Sequence, residues 1–325
     1  MKLKEQLFAK CRMLNRSPKT ASAYWVWIEQ FLRFFLAKRG RWIHPCEMGK
    51  PEIESFLTHL ATVRNVSAST QNQAFSAVLF LYRELLQIDI QGVNALRAKT
   101  PFFIPTVMSV SEVQRVLSQL SGHHHTIACL CYSAALRIGE AISLRIKDLD
   151  FDNKRIHVRQ AKGHKDRIVP LADSLESELR KQITATEVLH ARDIADKCAR
   201  VPLPGAFEKK CPRAASEIGW YWLFTSQQRS REPITGRIGR WHIDDTTFSK
   251  ALAEAVRRAG IYKRVTSHTF RHSAATHLMN DRVPIRTIQE ILGHADVSTT
   301  QIYTHVEQES AAGVRSPLDR IYQRA

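Results

Sequence analysis

His268-Thr269-Phe270-Arg271, Leu292-Gly293-His294 and Tyr303-Thr304-His305 follow one another near the carboxy-terminal end of the chain. Together they offer imidazoles, a guanidinium and a phenol, a combination suited to holding and attacking a phosphate. His268 and Arg271 are spaced to share one face of a helix, so both can address the same anion. Upstream, Ala135-Leu136-Arg137-Ile138-Gly139-Glu140 supplies a second arginine. Lys162 stands in Lys162-Gly163-His164-Lys165-Asp166, between Ile156 and Val158 on one side and Ile168 and Val169 on the other. That alternation predicts a β-hairpin with a charged tip. In chain order the reactive set reads Arg, Lys, His, Arg, His, Tyr.

Working outward, residues from Ser17 to about Gln91 are helical in pattern. Tyr24, Ile28, Phe31, Leu32 and Phe35 recur at three- and four-residue spacing, as do Ile53, Phe56, Leu57 and Leu60, then Phe75, Val78, Leu79, Tyr82 and Leu86. At least four helices follow from this. Asp89 to Pro105 loses the periodicity and carries Arg97, Lys99, Pro101 and Pro105, which reads as an extended basic linker. A helix opens at Ser109-Val110-Ser111-Glu112, where Ser109 and Glu112 have capping-box spacing. Ile127 to Leu144 reads as one helix, Leu175 to Leu189 as another. The stretch from about Val201 to His242 is rich in Pro, Gly, Arg and Trp and is too long for a simple connector. Helices resume over Thr246 to Ala259, Ser267 to Met279, Ile285 to Leu292 and Thr299 to Glu307. The run His123-His124-His125 lacks framing acidic or cysteine partners and reads as a loop, so no metal is expected.

A chain of 325 residues has room for two domains with real cores. Lys and Arg number 48 against 31 Asp and Glu, a net charge of +17, with a pI near 9.9. Such a field favours a polyanion, nucleic acid above all. None of the six cysteines shows metal or redox spacing, which suits a reduced, cytosolic chain. The apolar run Phe31 to Leu36 is short and broken by Arg33, and Met1 to Lys10 has no apolar signal core, so neither a membrane span nor export is expected.

The ordered set of Arg137, Lys162, His268, Arg271, His294 and Tyr303 resembles the tyrosine recombinases, also called the phage integrase family. Each residue has a role without a metal or other cofactor. Tyr303 would attack phosphorus and hold the strand as a 3′-phosphotyrosine ester, storing the bond for rejoining. Arg137 and Arg271 would grip the non-bridging oxygens. Lys162 would protonate the departing 5′ oxygen, His268 would handle the tyrosine proton, and His294 would add a hydrogen bond to a non-bridging oxygen. The resemblance implies a mainly α fold with a small β-sheet (α+β). It divides into a helical SAM-like core-binding domain at 1–92, a basic linker at 93–106 and a catalytic domain at 107–325, together forming a clamp around DNA.

Within that family the segment at about 201–242 is similar to the insertion of integron integrases, on Leu203-Pro204, Ala206-Phe207-Glu208-Lys209-Lys210-Cys211-Pro212 and Trp220-Tyr221-Trp222-Leu223-Phe224. The tail Thr299 to Val306, with Gly313 and Ser316-Pro317-Leu318, points the same way. The resemblance implies recombination of gene-cassette attC sites, folded from single-stranded DNA, with a double-stranded attI site. Trp220, Trp222, Trp241 and His242 suit contact with unstacked bases, beside the basic Lys209, Lys210, Arg213 and Arg240. The residues alone leave open whether these tryptophans meet bases or fill a core. Arg240-Trp241-His242, Cys211 and Thr225 depart from the subfamily pattern, where Arg-His-His, an aromatic and proline are expected.

The family implies a ring of four protomers on DNA, with a docking segment at about 308–325, working in the bacterial cytoplasm in association with the nucleoid. Two other readings are compatible with the scaffold. One is a Xer-like or phage-type integrase acting on duplex sites; the other is a non-catalytic DNA-binding regulator.

Overall fold

The computed structural model describes residues 2–90, 92, 105–159, 166–205, 207–232 and 236–294. Most of the linker, the hairpin tip with Lys162, the predicted helix over Thr299 to Glu307, Tyr303 and the segment at 308–325 lie outside the described residues. The chain divides into two compact units, Met1–Phe103 and Ile104–Ala325.

The first unit is helical: α1 Leu3–Met13, α2 Pro18–Arg39, α3 Lys50–Thr62 and α4 Ala68–Phe80, which runs on into a π turn at Leu81–Leu86. Ser17 accepts a hydrogen bond from the Thr20 amide at 3.0 Å and Pro18 occupies the first turn, so α2 starts where its orphan amides are satisfied. It stops at Gly40, whose φ of 69° suits glycine. Phe31, Phe35, Ile53, Phe56, Leu60, Phe75 and Val78 face one another in the core. Each such side chain, fully buried, contributes about 1.5–3 kcal/mol. The fully buried Tyr82 hydroxyl donates to the carbonyls of Pro45 and Met48, each at 3.0 Å, tying the α2–α3 connection to the core.

In the second unit, α5 (Val110–Ser118) opens with the predicted capping box: Ser109 Oγ accepts from the Glu112 amide at 3.2 Å, and Glu112 from the Ser109 amide at 2.8 Å. Such a cap stabilises a helix by about 1 kcal/mol. The helix expected over Ile127 to Leu144 is in fact two, α6 (Gly122–Ser133) and α7 (Ile138–Ile142). Between them Ala135 adopts φ 49°, a left-handed conformation that costs an alanine about 1–2 kcal/mol. His123, His124 and His125 form the first turn of α6 and not a loop. They precede an apolar run, Thr126 to Cys131, whose burial extends the helix back over them.

Three short antiparallel strands follow in the order β1 (Leu149–Asp150), β2 (Arg155–Val158), β3 (Arg167–Pro170). The register pairs Ile156 with Val169 and Val158 with Arg167, so Ile156, Val158 and Val169 all point into the core. Helix α8 (Glu176–Ala195), the short α9 (Phe207–Lys210), the antiparallel pair β4 (Thr225–Arg231) and β5 (Ile238–His242), and helices α10 (Asp245–Arg258), α11 (Ser267–Asn280) and α12 (Ile285–Leu292) complete the unit. The fold is thus mainly α, with two small sheets among the described residues. The core gathers Val113, Leu130, Leu136, Val169, Leu179, Phe248 and Phe270.

Candidate active site

The break at Ala135 has a purpose in the site. It turns the Ala135 carbonyl toward α11, where Arg271 Nη1 donates to it at 2.6 Å. Arg271 Nη2 donates to the Leu292 carbonyl at the end of α12. Arg271 is thereby held rigidly, with only 3% of its surface exposed. The break also places Arg137 at the N-cap of α7, where Glu140 reaches back to its amide at 2.9 Å and to its Nη1 at 2.8 Å.

The Glu140 side chain is itself only 9% exposed. Its carboxylate also receives a two-pronged bond from Arg167, at 2.6 and 3.0 Å. Burial pushes its pKa up, but the bonds from Arg167 and Arg137 outweigh this and hold it at about 2. Helix α12 ends at Gly293 with φ 61°, delivering His294 next to the Leu292 carbonyl that Arg271 binds. His268, in the first turn of α11, titrates below its ordinary range because of partial burial and then the fields of Arg271 and Arg137. His294 is lowered to about 4 by burial and by the same two arginines. Both histidines therefore feel both guanidiniums, which means the four groups from α7, α11 and the end of α12 converge. Two guanidiniums so placed make a field that favours an anion.

These shifts predict an acid-sensitive fold. His272, like His294, is lowered to about 4, by burial and by its neighbours His268 and Arg271. A histidine depressed from 6.5 to about 4 is neutral when folded but takes a proton when unfolded. Its stabilising contribution is complete above pH 6.5 and is lost as pH falls toward 4. The Tm of DNA-free protein should drop by several degrees between pH 7 and 5, and His272→Gln should flatten that slope. A Tm constant across this window would contradict the assignment.

Beside this cluster lies the segment at about 201–242. Arg145, buried, stacks its guanidinium 3.9 Å over Trp222 and 5.3 Å from Trp220, and donates to the carbonyls of Trp220 at 2.5 Å and Pro202 at 2.8 Å. Lys147 Nζ sits 2.7 Å from the centre of Trp220, whose ring also packs against Phe207 at 4.8 Å. Trp222 in turn touches Trp241 at 5.8 Å and His242 at 5.2 Å. A cavity of about 350 Å³ opens here, lined by Trp220, Trp222, Phe207, Arg145, Lys147 and, from the cluster above, Glu140.

The expected surface residues divide. Lys209, Lys210 and Arg213 are exposed and Trp241 is 42% exposed, whereas Trp222 is 7% and Arg240 5% exposed. Arg240 is not at a surface but in an ion pair: its Nε and Nη2 donate to the fully buried Asp193 at 2.6 and 2.8 Å, and its Nη1 to the carbonyls of Ser226 and Gln227. Arg229 and Tyr221 donate to the same carboxylate. This network fastens β4 and β5 to α8 and explains why Arg240 turns inward. Asp193, Arg145, Lys147 and Arg167 were not singled out from the sequence.

The model of the phage integrase family matches residues 106–310, and that of the phage integrase N-terminal SAM-like domain matches residues 3–92. The chain belongs to the phage integrase family. As a tyrosine recombinase it is a site-specific enzyme that cleaves and rejoins DNA strands. It is 42% identical over 322 residues to an integrase/recombinase of Escherichia coli and equally to one of Pseudomonas aeruginosa, covering 99% of this chain and 94% of each relative. It is 30% identical to the tyrosine recombinase XerD of Agrobacterium fabrum, covering 86% of this chain and 82% of the relative. The fold is that of solved recombinases. XerH bound to its difH substrate aligns with a TM-score of 0.61 at 20% identity over 96% of this chain and 84% of that one. The Tn1549 transposon integrase in complex with transposon right end DNA aligns with 0.58 at 15% identity, over 99% and 98%. Among the described residues of this recombinase no helix is long and apolar enough to cross a membrane.

Proposed function

We propose that this recombinase attacks DNA with Tyr303, forming a 3′-phosphotyrosyl ester, and that its partners are folded single-stranded cassette sites and a duplex attI site. Arg137 and Arg271 neutralise the non-bridging oxygens, His294 adds a hydrogen bond, neutral His268 accepts the phenol proton and Lys162 protonates the 5′ oxygen. Residues 1–92 grip the core site, 93–106 follow the backbone and 107–325 carry the chemistry. On DNA the active unit is a homotetramer, with about 308–325 of each protomer docking on the next.

The observation that carries the cassette reading is the aromatic, cation-lined cavity beside the arginine cluster. A base swung out of a hairpin stem can stack on Trp220 once Lys147 moves aside, and base–aromatic stacking is worth about 1–3 kcal/mol. The ammonium that leaves the ring would then be close enough to meet the phosphate of the same nucleotide. An ordinary duplex presents no such base.

Denaturing-gel trapping of a covalent adduct tests this, with a nicked hairpin bearing extrahelical bases, the same hairpin without them, and a matched duplex. The bulged hairpin should react best, and Trp220→Ala should lower its adduct yield about 10-fold, as expected for one lost stacking contact, while leaving the duplex unaffected. Adduct mainly on the duplex would favour the Xer-like reading, in keeping with the XerD relative. No adduct on any substrate would favour the non-catalytic regulator.

A further inference from the structure

We infer that Arg167 is a positioning residue that sets Arg137 and His294 in register for one phosphate. The inference rests on the reading of those two side chains as phosphate-binding groups, and it adds a residue that acts through them.

The geometry is specific. Arg167 opens β3, and its side chain, 9% exposed, reaches two other elements at once. Nη1 and Nη2 grip both oxygens of Glu140 on α7, and Nε donates to the Ile291 carbonyl in the last turn of α12 at 2.9 Å. Its stem lies flat on the residue before His294. A Cβ built on Gly293 would meet Arg167 Cδ at 2.9 Å, and the φ of 61° there is itself one that favours glycine. Gly293 therefore serves both to end α12 and to let the arginine pass.

Two chains of contact leave Arg167. One runs through Glu140 to the amide and Nη1 of Arg137. The other runs through Ile291 and Gly293 to His294. The Glu140 carboxylate is shared between two guanidiniums, and this sharing decides how Arg137 points. With Arg167 present, Glu140 spends both oxygens on a fork that is already satisfied, and Arg137 adds one side-chain bond. Without it, the buried carboxylate would turn fully to Arg137 and draw donors away from the phosphate. Lysine cannot reproduce the arrangement, because a single ammonium lacks the planar fork and the third nitrogen.

The test uses the full chain, a nicked substrate that the wild type converts to adduct, and the same substrate with a methylphosphonate at the scissile position. That replacement removes the charged oxygen which a guanidinium would neutralise. Arg167→Lys and Gly293→Ala should each lower the single-turnover adduct rate on the ordinary phosphodiester by about 30-fold or more, as expected when a catalytic group is displaced by about 1 Å. DNA affinity should stay within about 3-fold, since the phosphate contacts that dominate it are elsewhere. On the methylphosphonate the gap between wild type and variant should shrink to less than about 5-fold, because the misplaced charge no longer matters. A residue that only stabilised the fold would lower Tm and the active fraction, cutting both rates by the same factor. Equal factors on the two substrates, or an unchanged rate, would overturn the inference. Arg137→Ala is the reference: if it kept the full rate, the reading of the site itself would fail, whereas loss in Arg137→Ala with no loss in Arg167→Lys would overturn only the role of Arg167.

Discussion

Tyr303→Phe is expected to abolish covalent adduct formation, by about 10⁴-fold or more, while DNA affinity stays within a few-fold. The first half follows from the chemistry of the step. Phenylalanine keeps the ring but has no oxygen to bond phosphorus, and nucleophiles acting within a unit lose nearly all of the rate enhancement when removed. The second half follows from where affinity arises. Binding in so basic a protein, with a net charge of +17, comes from many phosphate contacts, of which one hydroxyl is a minor part. His268 supports the assignment, because burial and two arginines keep its imidazole neutral near pH 7 and able to take the phenol proton. Denaturing gels of wild type and Tyr303→Phe on a nicked substrate decide the matter. Adduct at the wild-type rate in the variant would place the nucleophile elsewhere. Weakened binding in parallel with lost cleavage would mean that the substitution acts on the fold.

Much of this molecule was legible because its signals are local. The three- and four-residue recurrence of apolar side chains around Phe31, around Phe56 and around Phe75 predicts three helices, and these residues lie in their buried faces. Ser109 and Glu112 predict a cap three residues long, and the alternation around Ile156 and Val169 predicts strands. Arg137, His268, Arg271 and His294 are grouped in the sequence by the order of a resembled family, and in the structure both arginines lower the pKa of both histidines. What escaped the sequence depends on partners far away along the chain. Ala134-Ala135-Leu136 is a good helix former, yet the helix breaks there and the Ala135 carbonyl goes to Arg271, 136 residues on. Arg240 looks like any surface arginine until Asp193 is placed beneath it. Arg145 and Lys147 look like the solvated end of a helix, yet both lie on tryptophan rings some 75 residues further along the chain, Trp222 and Trp220. In the sequence Glu140 reads equally as a carboxylate that orders the arginine cluster and as a plain helix-surface charge, and its bonds to Arg137 and Arg167 decide for the first.

The same reasoning makes Arg271 the costliest of the arginines to lose. Its guanidinium serves two carbonyls, those of Ala135 and Leu292, which are presented by a left-handed alanine and by the end of a helix. Truncation to alanine leaves both acceptors buried without that donor, at about 1–3 kcal/mol each, and removes a charge from the place where phosphate must bind. Arg271→Ala should therefore lose on two fronts: Tm lower by about 5 °C or more, from about 2–6 kcal/mol of stability, and an adduct rate lower by about 10³-fold. Arg271→Lys separates them. The ammonium keeps the charge and can bond one carbonyl, so stability should largely return, but a point donor cannot hold both carbonyls and a non-bridging oxygen together. The rate should stay about 10²-fold down. Full recovery of rate in Arg271→Lys would show that charge alone suffices, and the two carbonyl bonds would then be scaffolding only. A low rate with normal Tm would instead tie the chemistry to the fork that joins α11 to both the end of α12 and the Ala135 break.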